Sequence, residues 1–146
     1  ARATTLGFVP SSDLAKSSAS ARLVAAPDVS GVAESFFHLR LELTLGGERS
    51  LLGGIWSHAP RVVIRFRRED GSWHDPGLII PAPVTFLPHD GMAPGTSIEL
   101  IVGGRYPKTL GTYTPVVFLQ QQSWATPTDL VLLELEPRVV RVPNRW

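Results

Sequence analysis

One stretch of the sequence alternates strictly between apolar and polar side chains: Phe37-His38-Leu39-Arg40-Leu41-Glu42-Leu43-Thr44-Leu45. In an extended strand successive side chains point to opposite faces, so the apolar residues of this stretch share one face and the polar residues share the other. The pair Gly46-Gly47 follows directly and ends the pattern. The stretch therefore predicts a half-buried β-strand whose apolar face lies on a hydrophobic core.

The same alternation recurs along the chain. Thirteen prolines and thirteen glycines divide it into short segments, and no segment has the 3.6-residue apolar period of a helix. Further strands are predicted over residues 22–26, 61–67, 84–87, 98–102, 116–122, 130–135 and 138–142. Short strands separated by turn residues are typical of a sandwich or barrel. We therefore predict an all-β fold: an antiparallel β-sandwich, immunoglobulin-like or jelly-roll-type, of about seven or eight strands.

Composition limits the classes of function. The 146 residues have the length of one domain, and 43% hydrophobic and 18% charged residues are a globular composition. A net charge of +1 gives no electrostatic reason to expect nucleic acid as a partner. No run of about 18 apolar residues is present, so we expect no membrane insertion. The absence of cysteine excludes disulfides, thiolate metal sites and a cysteine nucleophile.

The first twenty residues differ from the rest, because serine and other small residues dominate them. We predict that residues 1–20 form a flexible or docking N-terminal arm and that residues 21–146 form a single β-sandwich domain. A docking arm would be anchored on a neighbouring subunit by Leu6, Phe8 and Val9. A linker or frayed terminus is the alternative.

Two segments carry a family resemblance: Ala93-Pro94-Gly95-Thr96-Ser97-Ile98-Glu99-Leu100 and Leu110-Gly111-Thr112-Tyr113-Thr114-Pro115-Val116-Val117-Phe118. They resemble the strand-opening elements of bacterial immunoglobulin-like surface modules. The resemblance implies that Tyr113 is a corner tyrosine, with its ring packed inward and its hydroxyl bonded to nearby backbone. Pro115 departs from the pattern, because proline interrupts an ordinary central strand. The resemblance concerns the fold and implies no binding or catalytic residues.

No catalytic constellation stands out in the sequence. There is no Gly-x-Ser-x-Gly elbow for a nucleophile and no glycine-rich phosphate loop followed by lysine. The four histidines lack the close spacing of metal ligands, although His74 and His89, each followed by aspartate, lie in loops that could converge. We therefore predict no catalytic residues, no metal and no cofactor. A small metal-dependent enzyme using His74 and His89 is the remaining alternative.

A row of arginines is the first candidate binding feature. On an alternating strand Arg61, Arg65 and Arg67 point to the same face. Such a row could bind phosphates, a carboxylated polymer or an acidic partner surface. We favour the alternative, a solvated outer face balanced by cross-strand glutamates such as Glu42 or Glu99.

Tryptophans are the second candidate feature. Trp56, Trp73 and Trp124 fall in predicted loops or strand ends, and Trp146 is the last residue. Loop tryptophans can stack on sugar rings or act as interface hot spots, whereas Trp56 is expected to close one end of the core. We predict that Trp146 anchors the tail to a neighbouring chain.

These features favour a binding protein over an enzyme. The first hypothesis is a non-catalytic structural or assembly module of a bacterial surface structure or virus-like shell. It would act through protein–protein contacts as a homo-oligomer, outside the cell or in a virion. The second hypothesis is a carbohydrate-binding or substrate-positioning module in which Trp73, Trp124 and Arg65 form the platform.

Overall fold

Two β-sheets form the protein. The computed structural model describes residues 19–26, 30–47, 50–51, 53, 60–75, 84–121 and 128–142. These residues form nine strands: β1 (Ala19–Ala25), β2 (Ser30–Val32), β3 (Phe36–Leu45), β4 (Arg61–Arg68), β5 (Val84–Phe86), β6 (Ser97–Arg105), β7 (Gly111–Gln121), β8 (Thr128–Glu134) and β9 (Arg138–Arg141). No helix in this part of the chain has the length and apolar composition needed to cross a membrane.

The strands divide into a smaller and a larger sheet. The smaller sheet has the order β1-β3-β6, and the larger has the order β2-β9-β7-β4-β5, with β8 pairing with β7 as well. All pairs are antiparallel except β2 with β9, which is parallel. The prediction of an all-β sandwich is confirmed. The predicted number of strands, seven or eight, was too low, because the three-residue strand β2 is too short to show a period.

The core lies between the two sheets. The five apolar residues of β3 are all buried, as the alternation predicts: Phe37, Leu39, Leu41, Leu43 and Leu45. They belong to one cluster with Val62 of β4 and with Val117 and Leu119 of β7 in the facing sheet. Each fully buried leucine or valine contributes about 1.5–3 kcal/mol of transfer free energy. This packing makes the sandwich a rigid support for the side chains on its two outer faces.

Tyr113 forms the corner that the resemblance implied. Its ring is buried in the core, and its hydroxyl donates a hydrogen bond of 2.9 Å to the backbone oxygen of Thr109. The ring also lies edge-on to Phe66 of β4, with 6.2 Å between ring centroids. Tyr113 therefore joins the loop before β7 to the hydrophobic core.

Pro115 lies inside the long central strand β7, although the sequence suggested that a proline here interrupts a central strand. Its carbonyl oxygen accepts a 2.9 Å hydrogen bond from the Leu135 amide on the β8–β9 side. In a strand the N and O atoms of one residue point to the same edge. The missing N–H of Pro115 therefore faces the place where the partner of β7 changes from β9 to β8, and no ladder bond is lost there.

Several predictions concern residues outside the described part of the chain. The docking arm with Phe8, the loop tryptophans Trp56 and Trp124, and the terminal Trp146 all lie there. Ala19 and Ser20, which were assigned to the arm, belong to β1. The arm and the tail contacts remain predictions.

Candidate functional site

The outer face of the larger sheet carries the predicted arginine row. Arg61, Arg65 and Arg67 alternate along β4 with side chains that face the core, among them the buried Val62 and Phe66. The three arginines therefore share the face that points away from the smaller sheet. The structure brings together two of them, Arg65 and Arg67, with Trp73.

A tight turn after β4 positions Trp73. The Gly71 amide donates to the Arg68 carbonyl at 3.0 Å, and Gly71 adopts a left-handed φ of 89°. Asp70 Oδ1 accepts bonds from the Ser72 amide at 2.9 Å and the Ser72 hydroxyl at 2.6 Å. These hydrogen bonds from Ser72 lower the pKa of the Asp70 carboxyl. The chain then returns along β4, so that Trp73 pairs with Arg67 in a β-bridge and shares its face.

The indole ring of Trp73 lies among three side chains of this face. The Arg65 guanidinium carbon is 4.7 Å from the ring centroid, and that of Arg67 is 5.9 Å away. The Phe118 ring of β7 meets the indole at 62°, with 5.5 Å between centroids. Such cation–π and edge contacts hold the indole in one orientation. We call Arg65, Arg67, Trp73 and Phe118 the Trp73 cluster.

Acidic side chains of β8 balance the two arginines. Arg67 Nη1 donates to Glu134 Oε1 at 2.7 Å, and Arg65 Nη1 lies 3.7 Å from Asp129 Oδ2. The hydrogen bond with Arg67 lowers the pKa of the Glu134 carboxyl, and the same bond raises the pKa of Arg67. Gln120 Nε2 donates to Asp129 Oδ1 at 3.0 Å, which fixes the second carboxylate. The Trp73 cluster therefore carries no net charge together with these partners.

Glu42 and Glu99 do not balance the arginine row, contrary to one expectation from the sequence. They lie on the smaller sheet, where Glu42 pairs with Arg22 at 3.6 Å and Glu99 with Arg40 at 3.3 Å. Arg61 has no carboxylate within 4.0 Å among the described residues.

His74, beside Trp73, is a half-buried residue with an unsatisfied ring nitrogen. Its amide donates to the Phe66 carbonyl at 2.8 Å, and its ring lies 5.8 Å from that of Tyr113. Its Nδ1 atom is buried, and no group in the described part of the chain forms a hydrogen bond with it. Burial lowers the pKa of His74, the positive charge of Arg68 lowers it further, and Asp75 acts in the opposite direction. In the described part of the chain no three His, Asp or Glu side chains group as metal ligands, and so His74 and His89 do not form part of such a set there.

Sequence reasoning missed Phe118, Gln120, Asp129 and Glu134. They belong to the outer face of β7 and β8, and the apolar run of β7 hid the alternation that places Phe118 there. Phe118 is buried although it faces outward, because Arg65 and Trp73 lie against its ring. Asp129 and Glu134 lie two strands away from β4, on the far side of β7, so no pattern within one strand of the sequence indicates that they pair with its arginines.

The outer face of the smaller sheet has a second open feature. A shallow depression of about 670 Å³ is lined by Ala25, Ala26, His38, Leu39, Arg40 and Ile101. Near it, Phe36 and Ile101 are more than half exposed. Apolar side chains this exposed on a sheet face are available to another molecule.

Comparison with known proteins gives similarity at the level of fold. No protein-family model and no curated protein sequence matches the chain. The C-terminal domain of wzt is similar over 96% of this chain and 83% of its own, with 10% identity and a TM-score of 0.47. A family 123 glycoside hydrolase from Clostridium perfringens matches over 87% of this chain but only 27% of its own, with 9% identity and a TM-score of 0.38.

A third similar structure is the ApaA protein from Bordetella pertussis. It is 18% identical over 88% of this chain and 94% of its own, with a TM-score of 0.29. All three similarities have low identity, and no activity, ligand or partner follows from them.

Proposed function

We propose that the chain is a non-catalytic binding module that takes a saccharide on the outer face of the larger sheet, at the Trp73 cluster. The observation that carries the proposal is a half-buried indole held between guanidinium groups that are themselves paired with carboxylates. Trp124, the other tryptophan of the predicted platform, lies outside the described residues.

The chemistry of this surface suits a ligand with many hydroxyl groups. An aromatic side chain offers apolar contact area and a polar N–H on one rigid ring, which matches the C–H face and the hydroxyl edge of a sugar. Guanidinium groups are donors only, and ionised carboxylates are acceptors only. Arg65 with Asp129, and Arg67 with Glu134, therefore present both kinds of group beside the indole. Two neighbouring sugar hydroxyls could bond to one such pair without leaving a charge unbalanced.

The same composition is less suited to the centre of a protein interface. Interface cores are enriched in aromatic residues and arginine but depleted of aspartate and glutamate, whereas Asp129 and Glu134 pair with the two arginines beside Trp73 on this face. Of the large apolar side chains of β8, Val131 is more than half exposed. A single exposed valine is normal for a protein surface and does not make an apolar patch.

Affinity electrophoresis tests the proposal. Purified protein is run in native gels that contain dextran, mannan or galactan, and retardation gives a dissociation constant. We expect one of these neutral polymers to retard the wild-type chain. Trp73→Ala should raise the dissociation constant about tenfold or more, because it removes the central contact surface. Val139→Ala is the matched control, since Val139 is exposed on the same sheet and lies on β9, away from the cluster.

Two results would overturn the proposal. One is a wild-type chain that none of the polymers retards, and the other is a Trp73→Ala variant retarded as strongly as the wild type. Far-ultraviolet circular dichroism of each variant separates loss of binding from loss of fold.

A second candidate function, an assembly module acting through protein subunits, is favoured by the edge strand β1. Among the described strands β1 pairs with β3 alone, and its Leu23 and Val24 are exposed. β1 contains no proline, its one charged residue, Arg22, is paired with Glu42 of β3, and the register shifts only between Leu23 and Ala25, so residues 19–23 form a regular open edge. Partner strands could add to this edge and form the predicted homo-oligomer.

Light scattering tests the assembly candidate. The assembly candidate, unlike the saccharide proposal, predicts a defined oligomer that dissociates when residues 1–18 are removed or when Val24→Lys places a charge on the edge strand. A monomer before and after both changes would exclude assembly through the chain's own arm and edge.

A further inference from the structure

We infer that the outer face of the smaller sheet is a second saccharide-binding surface, on the opposite side of the sandwich from the Trp73 cluster. The inference rests on the proposed saccharide function. It adds a second binding site and the ability to connect separate polysaccharide chains. We call the surface around His38, Ile101 and Gly103 the Gly103 surface.

Gly103 is a glycine that the fold itself does not require. It lies inside β6, opposite His38 of β3, and its φ is outside the left-handed region. Among the described residues, the atom closest to a Cβ placed at this position would be Cδ2 of His38, at 3.9 Å. Glycine weakens a strand interior and often marks a place where another molecule approaches closely. Because neither backbone nor packing explains Gly103, we assign its open face to a ligand.

The neighbouring Gly104 shows the contrast. A Cβ atom there would lie 2.7 Å from Cζ of Phe37 and 3.1 Å from Cδ1 of Ile64, so core packing explains that glycine. Gly104 faces inward, whereas Gly103 faces outward, because successive residues of a strand alternate.

Around Gly103 the surface is open and partly apolar. The depression described above lies along His38, Arg40 and Ile101, with Ile101 58% exposed. Phe36, at the start of β3, is 52% exposed, and the Arg105 guanidinium carbon lies 5.3 Å from its ring centroid. An aromatic ring beside a guanidinium is the arrangement found at Trp73 on the other sheet.

The charge balance on this face favours an uncharged ligand. Its arginines are paired with carboxylates: Arg22 with Glu42 at 3.6 Å, Arg40 with Glu99 at 3.3 Å, and Arg105 with Glu34 at 3.4 Å. A surface whose charges are balanced in this way gives no net attraction to an anionic ligand. An uncharged saccharide, the ligand class of the proposed function, fits this surface, because its hydroxyls can bond to the paired groups and its ring can lie on the open backbone at Gly103.

Two sites on opposite faces let one chain hold two segments of polymer. A divalent monomer can connect separate polysaccharide chains, and its avidity for a polymer exceeds its affinity for a short oligosaccharide. A module with the Trp73 cluster alone would bind the polymer without connecting chains.

The test uses Gly103→Thr, which adds a β-branched side chain suited to a strand and covers the open backbone. Ser97→Thr is the matched control, because Ser97 is exposed on the same face of β6, near its start, and threonine keeps the hydroxyl that bonds to Thr44. Trp73→Ala removes the first site. Titration calorimetry with a short oligosaccharide of the polymer that retards the wild type gives the number of sites. Dynamic light scattering with the polymer itself gives cross-linking, after the protein alone has been shown to be monomeric.

We expect the wild type and Ser97→Thr to bind two oligosaccharides per chain and to enlarge the polymer particles. Gly103→Thr and Trp73→Ala should each bind one oligosaccharide and form no enlarged particles. A Gly103→Thr variant with wild-type stoichiometry and cross-linking would overturn the second site while leaving the Trp73 proposal intact. Loss of binding in Gly103→Thr alone would overturn the Trp73 site, and no binding by the wild type would overturn both.

Discussion

The guanidinium of Arg65 lies over the indole of Trp73, with 4.7 Å between Cζ and the ring centroid, and its Nη1 atom lies 3.7 Å from Asp129 Oδ2. One arginine thus joins a residue of the β4 turn to a residue of β8, across the intervening strand β7. A cation–π contact at an exposed site contributes about 0.5–1 kcal/mol. Its larger effect is geometric, because the indole and the carboxylate are held in a fixed relation.

We predict that Trp73→Ala destabilises the fold as well as the site. The indole packs edge-on to Phe118 and is half-buried, and loss of partial burial of a large side chain costs about 1–2 kcal/mol. Trp73→Phe should recover most of this loss, since it keeps an aromatic ring against Phe118. Urea unfolding at neutral pH measures the free energy of unfolding of both variants. An unchanged midpoint for Trp73→Ala would show that the contacts of the indole do not contribute to stability.

Stability should fall in mildly acidic solution because of His74. Burial lowers the pKa of this histidine below its usual 6.5, so the unfolded chain binds a proton at a higher pH than the folded chain does. The free energy of unfolding then decreases as the pH falls below about 6.5, and the decrease ends once the folded form is protonated too. Arg68 adds to the shift, and Asp75 partly offsets it.

The measurement is urea unfolding at a series of pH values. His74→Gln should make the free energy of unfolding depend less on pH, between neutral pH and the pKa of His74 in the folded protein. His89→Gln, a change at an exposed histidine, serves as the control. Equal slopes for the wild type and His74→Gln would contradict the assignment.

Replacing each of the two adjacent glycines of β6 by alanine should change stability in opposite directions. Gly104→Ala places a Cβ atom 2.7 Å from Phe37 Cζ and should cost about 1–3 kcal/mol through overpacking. Gly103→Ala meets nothing closer than 3.9 Å and should be neutral or stabilising by about 0.5–1 kcal/mol. Thermal unfolding of the two variants side by side is the measurement. A destabilised Gly103→Ala would mean that the glycine has a structural role after all.

Tyr113→Phe should reduce stability without changing the fold. It removes the 2.9 Å hydrogen bond to Thr109 O and leaves the ring in place against Phe66. Loss of one such bond costs about 1 kcal/mol. Chemical denaturation reports the difference, and identical unfolding curves would show that water replaces the hydroxyl without cost.

Much of the sandwich could be predicted, because burial on one face imposes a period of two on the strands that form the core. The alternation of β3 identified its five buried residues, and that of β4 placed three of its four arginines on one face. The corner role of Tyr113 came from a resemblance and is confirmed by its bond to Thr109.

The site could be predicted only in part, because its partners come from strands that the topology brings together. Asp129 and Glu134 of β8 reach the arginines of β4 only because β7 lies between the two strands. No local pattern gives that order. β2 was missed for a related reason, since its three residues are fixed by pairing with β9 and carry no period of their own.

The parallel pairing of β2 with β9 also affects how the protein is made. Ser30 pairs with Val139, and Val32 pairs with Arg141. β2 therefore cannot pair until β9, the last described strand, is present. Contacts between residues far apart in sequence form slowly, because the intervening chain must first be ordered. A ribosome releases β2 long before β9, and the edge of the larger sheet cannot close until synthesis has reached Arg141. Until then β2 has no partner strand, and the edge of the larger sheet at β9 is absent.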